Sequence, residues 1–215
     1  MANKSLSELL RLIVITDPVL SKPFGLINTI EATLEAGAGM IQLRDKTTSP
    51  KKLLELAKKI LPITRSSGAL LVINDRFDVA LAANADGVHL GPDDATVAQV
   101  RSVVPDNFII GYSTDDPSQG KEAESQGADY LGCGTVYRTS NKADAGSPIG
   151  PSGIQEMVAA VKIPVVGIGG ITPLNTTEIV KAGAKGVAVI GAIMGSVDPG
   201  HQTKEFLRKF LDSSS

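Results

Sequence analysis

The sequence has little of what marks several large classes of protein. It contains one cysteine, Cys133, which excludes an internal disulfide framework and is typical of a reducing compartment. No apolar run approaches the roughly 20 residues of a membrane-spanning helix, and the first residues lack the apolar stretch of a signal peptide. Lys and Arg (21 together) do not outnumber Asp and Glu (23), unlike in nucleic-acid-binding domains. We therefore expect a cytoplasmic protein with neither a membrane nor a nucleic-acid partner; a homo-oligomer is left open.

Eight short apolar runs alternate with amphipathic segments, in a chain whose 42% hydrophobic content is enough for one buried core. The runs are LIVIT at 12, MIQLR at 40, LLVIN at 70, GVHLG at 87, FIIGYS at 108, YLGCGTV at 130, PVVGIGG at 164 and GVAVIGA at 186. Nearly continuous apolar strands are typical of a parallel sheet covered by helices. Segments such as SPKKLLELAKKILPI show the helical spacing of apolar residues.

Eight such units predict a (β/α)8 TIM barrel that forms a single domain over residues 1–215, with its core at about 11–212. Four junctions (EAGAGMIQL, AANADGVHL, SQGADYLGC and KAGAKGVAV) share one pattern: a helix end, a Gly or Asn suited to a left-handed conformation, and the next strand. We count eight strands and eight helices. The alternative is an open doubly wound sheet, although no GxGxxG motif follows the first strand.

The segment VINDRFDVALAANADGVHLGPDD, residues 72–94, ends two successive apolar runs in carboxylates. Asp75 follows the first run, and Asp93 and Asp94 follow the second. Because the loops after barrel strands meet at one mouth, neighbouring strands bring Asp75 and Asp94 to the same place. A shared metal or acid–base site is one interpretation. Helix capping is the other, since aspartate is a favoured N-cap residue.

The run QLRDK places Gln42, Arg44 and Lys46 at alternating positions, so their side chains share one side if the extended conformation persists to Lys46. A planar arginine, a lysine and an amide in this arrangement predict an anion clamp. The alternative is a surface salt-bridge cluster with Asp45.

Further polar residues follow strands three, five and six. Asn74 lies beside the first carboxylate, and Ser113 ends strand five. The long loop after strand six offers Thr139, Asn141 and Lys142 as ligands for phosphate oxygens. Capping is the alternative for Asn74, and an ordinary surface loop is the alternative for the segment after strand six.

The loops after strands seven and eight, GIGGIT and VIGAIMGS, occupy the positions where barrels frequently bind a phosphate through backbone N–H groups and a short extra helix. Gly169, Gly170 and Gly191 permit close approach of the backbone to a ligand, although tight turning alone also requires glycine. Two carboxylates beside several cations suit a Mg²⁺ ion shared with a diphosphate.

Six ordered segments (QLRDK, VINDR, GVHLGPDD, YRTSNKADAG, VVGIGGIT and VAVIGAI) resemble those of thiamine-phosphate synthases over about residues 11 to 195. Members of that family are (β/α)8 barrels that use Mg²⁺ to join hydroxymethylpyrimidine diphosphate to a thiazole phosphate, releasing pyrophosphate. The resemblance implies that Asp75 and Asp94 hold Mg²⁺. It implies binding of the pyrimidine diphosphate by Gln42, Leu43, Arg44, Asp45, Lys46, Asn74, Ser113 and Lys142, and of the thiazole phosphate by Thr139, Ser140, Asn141, Gly170, Ile190 and Gly191.

In that family, departure of pyrophosphate leaves a pyrimidine-stabilised carbocation that the thiazole nitrogen captures. The resemblance therefore implies that Arg44, Lys46 and Lys142 are catalytic, because they neutralise charge on the leaving group. Neither histidine is needed for this chemistry. His89 is mid-strand, and we predict a packed, hydrogen-bonded core residue.

Three positions depart from the family pattern. The strand-six loop usually reads close to YPTxTK, whereas Arg138 replaces the proline here and Asn141 the second threonine. An amide still donates to phosphate. Gly191 stands where the family often has serine, which leaves the backbone N–H as the donor.

Two other functions are weighed against a synthase. A related barrel isomerises a thiazole phosphate without metal, and its strand-six loop resembles GHVFET with a histidine for proton transfer. The corresponding stretch here is GTVYRT, which lacks that histidine. A barrel that binds phosphate ligands without catalysis is the third hypothesis, which the intact charged residues argue against.

Overall fold

The protein is a closed barrel of eight parallel strands in chain order, in which β1 pairs with both β2 and β8. The computed structural model describes residues 4–139 and 147–213. The strands are β1 (Leu12–Ile15), β2 (Met40–Leu43), β3 (Leu70–Asn74), β4 (Gly87–Leu90), β5 (Ile109–Ser113), β6 (Tyr130–Cys133), β7 (Val165–Ile168) and β8 (Gly186–Val189). The predicted (β/α)8 barrel is confirmed, and the open-sheet alternative is wrong because β1 and β8 close the sheet.

The prediction of eight helices is wrong, because the described residues form ten, two of which are short and were not predicted. The helices are α1 (Leu6–Leu9), α2 (Leu26–Glu35), α3 (Pro50–Ser66), α4 (Phe77–Ala83), α5 (Val97–Arg101), α6 (Pro117–Ser125), α7 (Gly150–Ala160), α8 (Thr176–Lys181), α9 (Gly191–Met194) and α10 (Pro199–Ser213). The additional α1 and α9 have four residues each, too few for a 3.6-residue period to be visible in sequence. In the part of the chain that is described, no helix combines the length and apolarity needed to cross a bilayer.

The strand residues alternate between two apolar layers. Leu12 and Val14 pack outward against the helices, whereas Ile13 and Ile15 pack into the barrel interior. This alternation follows from the two-residue period of a strand. Both layers exclude water, which is why the strands read as continuous apolar runs rather than as alternating ones.

The junctions before four strands have the predicted left-handed residues. Asn84 ends α4 with φ 57°, and Gly37, Gly127 and Gly183 have φ values of 106°, 97° and 100°. Glycine, and to a lesser extent asparagine, adopts this conformation at low cost, which lets each helix stop and turn into the next strand. These turns lie opposite the mouth, so the mouth is built from the other set of loops.

Candidate active site

A cavity of about 420 Å³ opens at the carboxyl ends of the strands. It is lined by Lys46, Asp75, Gly91 to Asp94, Ser113 to Asp115, Gly134, Thr135, Thr139, Ile168 to Ile171 and Ala188 to Ala192. Eight of the residues that the resemblance assigns to substrate or metal binding lie in this lining: Lys46, Asp75, Asp94, Ser113, Thr139, Gly170, Ile190 and Gly191. Sequence reasoning missed Thr114 and Thr135, which are buried. Ser140, Asn141 and Lys142 lie outside the described residues.

Asp75 is held at the rim of the cavity by its backbone. It directly follows β3, and its N–H donates to the carbonyl of His89 on β4 at 2.8 Å. Its φ is 62°, a left-handed conformation that is uncommon outside glycine and that persists where surrounding structure imposes it. Arg76 is the N-cap residue of α4 and that cap has no side-chain hydrogen bond, so the capping interpretation is wrong for Asp75 and Asn74.

Asp94 is held by a tight turn after β4. Its Oδ2 accepts the N–H of Gly91 at 2.7 Å, and its own N–H donates to the Gly91 carbonyl at 3.2 Å. The helix that follows, α5, is capped by Thr96 instead, whose hydroxyl accepts the N–H of Gln99. Capping therefore does not explain Asp94 either.

The two carboxylates interact with each other and with nearby cations. Burial raises the pKa of Asp75 above its usual value, and the charge of Asp94 raises it further, whereas Lys46 and Arg44 lower it. The prediction that neighbouring strands bring these carboxylates to one place is confirmed, because both line the same cavity. Two carboxylates close together are costly unless a cation or a proton lies between them.

The donor set fits Mg²⁺ in the manner of a substrate-shared ion. In residues 4–139 and 147–213, no three His, Cys, Asp or Glu side chains gather as a potential metal cluster. Mg²⁺ typically takes one or two carboxylates from the protein and completes its shell with water and substrate phosphates. Asp75 and Asp94 match that requirement in number and in chemistry.

We expect the raised pKa of Asp75 to appear in the pH dependence of stability. The unfolded chain releases this proton near pH 3.9, the approximate reference value, and the folded protein releases it at higher pH. Between these values the folded state binds more protons, so this contribution to the free energy of unfolding falls as pH rises. Urea titrations of the wild type and Asp75→Asn from about pH 4 to 7 isolate the effect. Equal slopes in the two proteins would contradict it.

The three residues of the predicted anion clamp, Gln42, Arg44 and Lys46, differ in burial and in backbone conformation. Gln42 is buried, two residues beyond Met40 of the interior layer, whereas Arg44 is half-buried just past the strand end. The extended conformation does not persist to Lys46, which is exposed in a bend. Lys46 therefore does not continue the predicted alternation of Gln42 and Arg44, although it lines the cavity.

Thr16, which sequence reasoning missed, fixes the backbone of Arg44. Its hydroxyl accepts the Arg44 N–H at 2.8 Å and donates to the Arg44 carbonyl at 3.0 Å. The Thr16 N–H also donates to the Gln42 carbonyl at 2.9 Å. Thr16 is fully buried immediately after β1, and a polar residue at the end of an apolar run was the one available signal.

We expect Thr16→Val to weaken binding of a diphosphate ligand by roughly tenfold. The N–H and carbonyl groups of Arg44 both lose their partner, and leaving such a group unsatisfied costs about 1–3 kcal/mol. Thr16→Ser keeps the hydroxyl and serves as the matched control. Isothermal titration calorimetry of both variants measures the difference. Equal affinity in the two variants would show that Arg44 is positioned by other contacts.

Leu43 and Asp45 contribute differently from their neighbours. The Leu43 side chain is fully buried in the outer apolar layer, so only its backbone faces the end of the barrel. The Asp45 carboxylate accepts the N–H and hydroxyl of Thr47, both at 2.9 Å, and the N–H of Thr48 at 3.0 Å. Asp45 therefore shapes the turn that carries Lys46.

Residues after β6 form a short backbone ladder, here called the stem, comprising residues 135–137 and 149–150. The N–H groups of Val136 and Tyr137 donate to the carbonyls of Ile168 and Gly169 on the β7 side, at 2.8 and 3.0 Å. The N–H groups of residues 149 and 150 donate back to the carbonyls of residues 135 and 136, at 2.9 and 3.0 Å. The stem therefore extends the sheet beyond β6 and supports Thr139 at the cavity.

Gly170 is required by this close approach. Its φ is 63°, and a Cβ atom there would lie 2.7 Å from the carbonyl oxygens of both Tyr137 and Arg138. Tyr137 is fixed in turn because its hydroxyl donates to Glu178 on α8 at 2.6 Å. Packing against the stem, besides any ligand, thus explains this glycine.

The loop after β8 places backbone amides at the cavity. Ile190 is the N-cap residue of α9, and its carbonyl accepts the N–H of Ile193 and Met194. Gly191 and Ala192 stand in the first turn, where backbone N–H groups have no partner within a helix. A short helix of the kind with which barrels frequently bind phosphate is present here as α9.

The fold and cavity define the class of the chain: a (β/α)8 barrel with a candidate active site at the carboxyl ends of its strands. A family model described as thiamine monophosphate synthase matches residues 12–193. The chain belongs to this family, and the resemblance of its motifs is confirmed.

Individual relatives extend this match to nearly the whole chain. The thiamine-phosphate synthase of Roseiflexus castenholzii is 44% identical over 191 residues, 89% of this chain and 84% of that protein. That of Pyrococcus horikoshii is 46% identical over 205 residues, 95% of this chain and 96% of that protein. The structure of thiamine phosphate pyrophosphorylase from Pyrococcus furiosus has a TM-score of 0.90 and 39% identity, covering 98% of this chain and all (100%) of that one.

Proposed function

We propose that this enzyme condenses hydroxymethylpyrimidine diphosphate with hydroxyethylthiazole phosphate to give thiamine phosphate and pyrophosphate. The observation that carries the proposal is the meeting of Asp75 and Asp94 with Arg44 and Lys46 at one mouth, in a chain 46% identical to a named thiamine-phosphate synthase over 205 residues. The proposed location is the cytoplasm, in keeping with the single, buried cysteine.

The pyrimidine diphosphate is proposed to bind on the β2–β5 side of the mouth. Asp75 and Asp94 would hold Mg²⁺, which when bound stabilises negative charge on diphosphate oxygens. Arg44 and Lys46 would bind the same oxygens and neutralise charge as the leaving group departs. The proposal gives Lys142 the same role, with Gln42, Asn74 and Ser113 completing the contacts to the pyrimidine half.

The thiazole phosphate is proposed to bind on the opposite side, against the loops after β6, β7 and β8. Thr139 and the backbone N–H groups of Gly170, Ile190 and Gly191 would hold its phosphate, together with Ser140 and Asn141. Anchoring this group orients the ring nitrogen towards the pyrimidine methylene carbon and removes much of the entropic cost of the encounter.

The bonding changes require no acid or base from the protein. The bond between the methylene carbon and the diphosphate oxygen breaks, and its electron pair leaves with pyrophosphate. The resulting cation is captured by the lone pair of the thiazole nitrogen, which forms the new carbon–nitrogen bond. The side chains needed are therefore those that bind, neutralise and orient, which matches the cationic residues around Asp75.

A pyrophosphate-release assay tests this function. The pyrimidine diphosphate is supplied with and without the thiazole phosphate, each with and without Mg²⁺, and thiamine phosphate is measured in parallel. We expect release that depends on both additions and equals product formation. Tight binding of the diphosphate without thiamine phosphate formation would instead support the barrel that binds phosphate ligands without catalysis.

A further inference from the structure

Two linked hydrogen bonds, one buried and one partly buried, run from the barrel interior to the cavity. The Tyr130 hydroxyl lies 2.9 Å from Nδ1 of His89, and Nε2 of His89 lies 2.8 Å from the hydroxyl oxygen of Ser113. Tyr130 is fully buried and His89 is 8% exposed, whereas Ser113 lines the cavity. The prediction that His89 is a packed, hydrogen-bonded residue is confirmed, but one of its partners is a candidate substrate ligand.

Two glycines make room for these hydrogen-bonded side chains. A Cβ atom on Gly111 would lie 2.2 Å from Tyr130 Cζ and 2.5 Å from His89 Nδ1. A Cβ atom on Gly132 would lie 3.1 Å from His89 Cε1 and 3.5 Å from the Ser113 hydroxyl oxygen. Each glycine is also the strand-pairing partner of one of these residues: Gly111 pairs with His89, and Gly132 pairs with Ser113. The interior is therefore shaped around these polar rings where a barrel usually packs branched aliphatic side chains.

The direction of the hydrogen bonds follows from the chemistry of Tyr130. Burial raises the pKa of its phenol well above the usual value, so the phenol keeps its proton. It can donate that proton to His89 Nδ1 or to the sulfur of Met40 at 3.9 Å, and a thioether is the much weaker acceptor. Donation to Nδ1 leaves the proton of a neutral imidazole on Nε2, which then donates to Ser113.

We propose that Tyr130 and His89 are positioning residues that make Ser113 a hydrogen-bond donor towards the pyrimidine diphosphate. The Ser113 oxygen accepts from Nε2, so its own proton is free to point into the cavity. With the opposite tautomer, Ser113 would donate to His89 and present lone pairs to an anionic substrate. The role assigned to Ser113 rests on the proposed function; the hydrogen-bond direction does not.

A double-mutant cycle measures this action through Ser113. Tyr130→Phe removes the hydroxyl but keeps the ring, and we expect it to weaken binding of the pyrimidine diphosphate roughly tenfold, about one hydrogen bond to a charged group. Ser113→Ala should weaken binding similarly, and Tyr130→Phe should then add little. Additive losses would overturn the proposal. Tyr112→Phe is the matched control, because it makes the same change on the neighbouring strand at a tyrosine that takes no part in these hydrogen bonds. Melting temperatures report whether each variant folds.

The tautomer itself is read by nitrogen-15 NMR of histidine in the unliganded protein. The chain has two histidines, and His201→Gln assigns the signals because His201 is exposed. We expect His89 to carry its proton on Nε2 in the wild type and to lose that preference in Tyr130→Phe. A proton on Nδ1 in the wild type would overturn the proposal. This readout needs no turnover, so wild-type protein that shows the expected tautomer but makes no thiamine phosphate would contradict only the proposed function and the role of Ser113.

Discussion

We expect Asp94→Asn to lower kcat/KM for thiamine phosphate formation by a factor on the order of 10² to 10³ while the barrel stays folded. The amide oxygen can still accept the Gly91 N–H, so the turn is kept, but the negative charge that would hold Mg²⁺ is lost. Removing that charge also relieves its repulsion with Asp75, so the free energy of unfolding should be unchanged or higher. Steady-state kinetics across Mg²⁺ concentrations and urea unfolding measure the two effects.

Asp78→Asn is the matched control for that experiment. Asp78 lies three residues after Asp75, is exposed, and pairs with Arg76 on the surface. Such pairs contribute about 0–1 kcal/mol, so its loss should alter stability slightly and catalysis hardly at all. A large fall in the melting temperature of Asp94→Asn with unchanged Mg²⁺ dependence would show that Asp94 serves the turn alone.

Arg44→Ala should cause the second largest loss, roughly 100-fold in kcat/KM, since charge-assisted hydrogen bonds contribute about 1.5–3 kcal/mol each. The effect should be present in kcat as well as in KM, because charge on the diphosphate grows as it leaves. Arg44→Lys should recover part of the rate, as a point charge replaces a planar, bidentate donor. Removal of Arg44 also takes away one of the cations that lower the pKa of Asp75.

Arg76→Ala distinguishes a specific clamp from a general loss of positive charge. Arg76 is adjacent to Asp75 in sequence, but its guanidinium forms a two-point contact with Asp78. We expect this variant to keep near wild-type kinetics. Equal losses in Arg44→Ala and Arg76→Ala, or a salt dependence that abolishes the difference, would mean that net charge at the mouth matters more than the position of Arg44.

The barrel and the position of its mouth could be predicted from sequence because the patterns that indicate them depend on neighbouring residues alone. Apolar runs mark strands buried on both faces, and the junctions that contain Gly37 or Asn84 need a left-handed residue whatever the tertiary structure. Once the barrel is known, every strand end is assigned to the same rim. Asp75 and Asp94 could therefore be paired across 19 positions without any structure.

Other features of the site depend on contacts between distant parts of the chain. Thr16 holds Arg44 across 28 residues, and neither residue indicates the other in sequence. Gly170 is explained by the carbonyl groups of Tyr137 in the stem and of Arg138 next to it, whose positions the sequence does not reveal. The conformation at Lys46 is set by a turn that Asp45 builds with Thr47, and this local competition with the strand was not anticipated.

The stem has a consequence for how this mouth can change. Hydrogen bonds from residues 149 and 150 to residues 135 and 136 bring the two ends of the intervening segment together as part of the sheet. The entropy of closing that segment varies slowly with its length, by about 0.6 kcal/mol for each doubling. A change in the number of residues between Thr139 and Ser147 therefore alters the entropic cost of closing the segment only slightly. Both departures from the family pattern after β6, Arg138 and Asn141, fall between the two halves of the stem, so neither changes a residue whose backbone forms its hydrogen bonds.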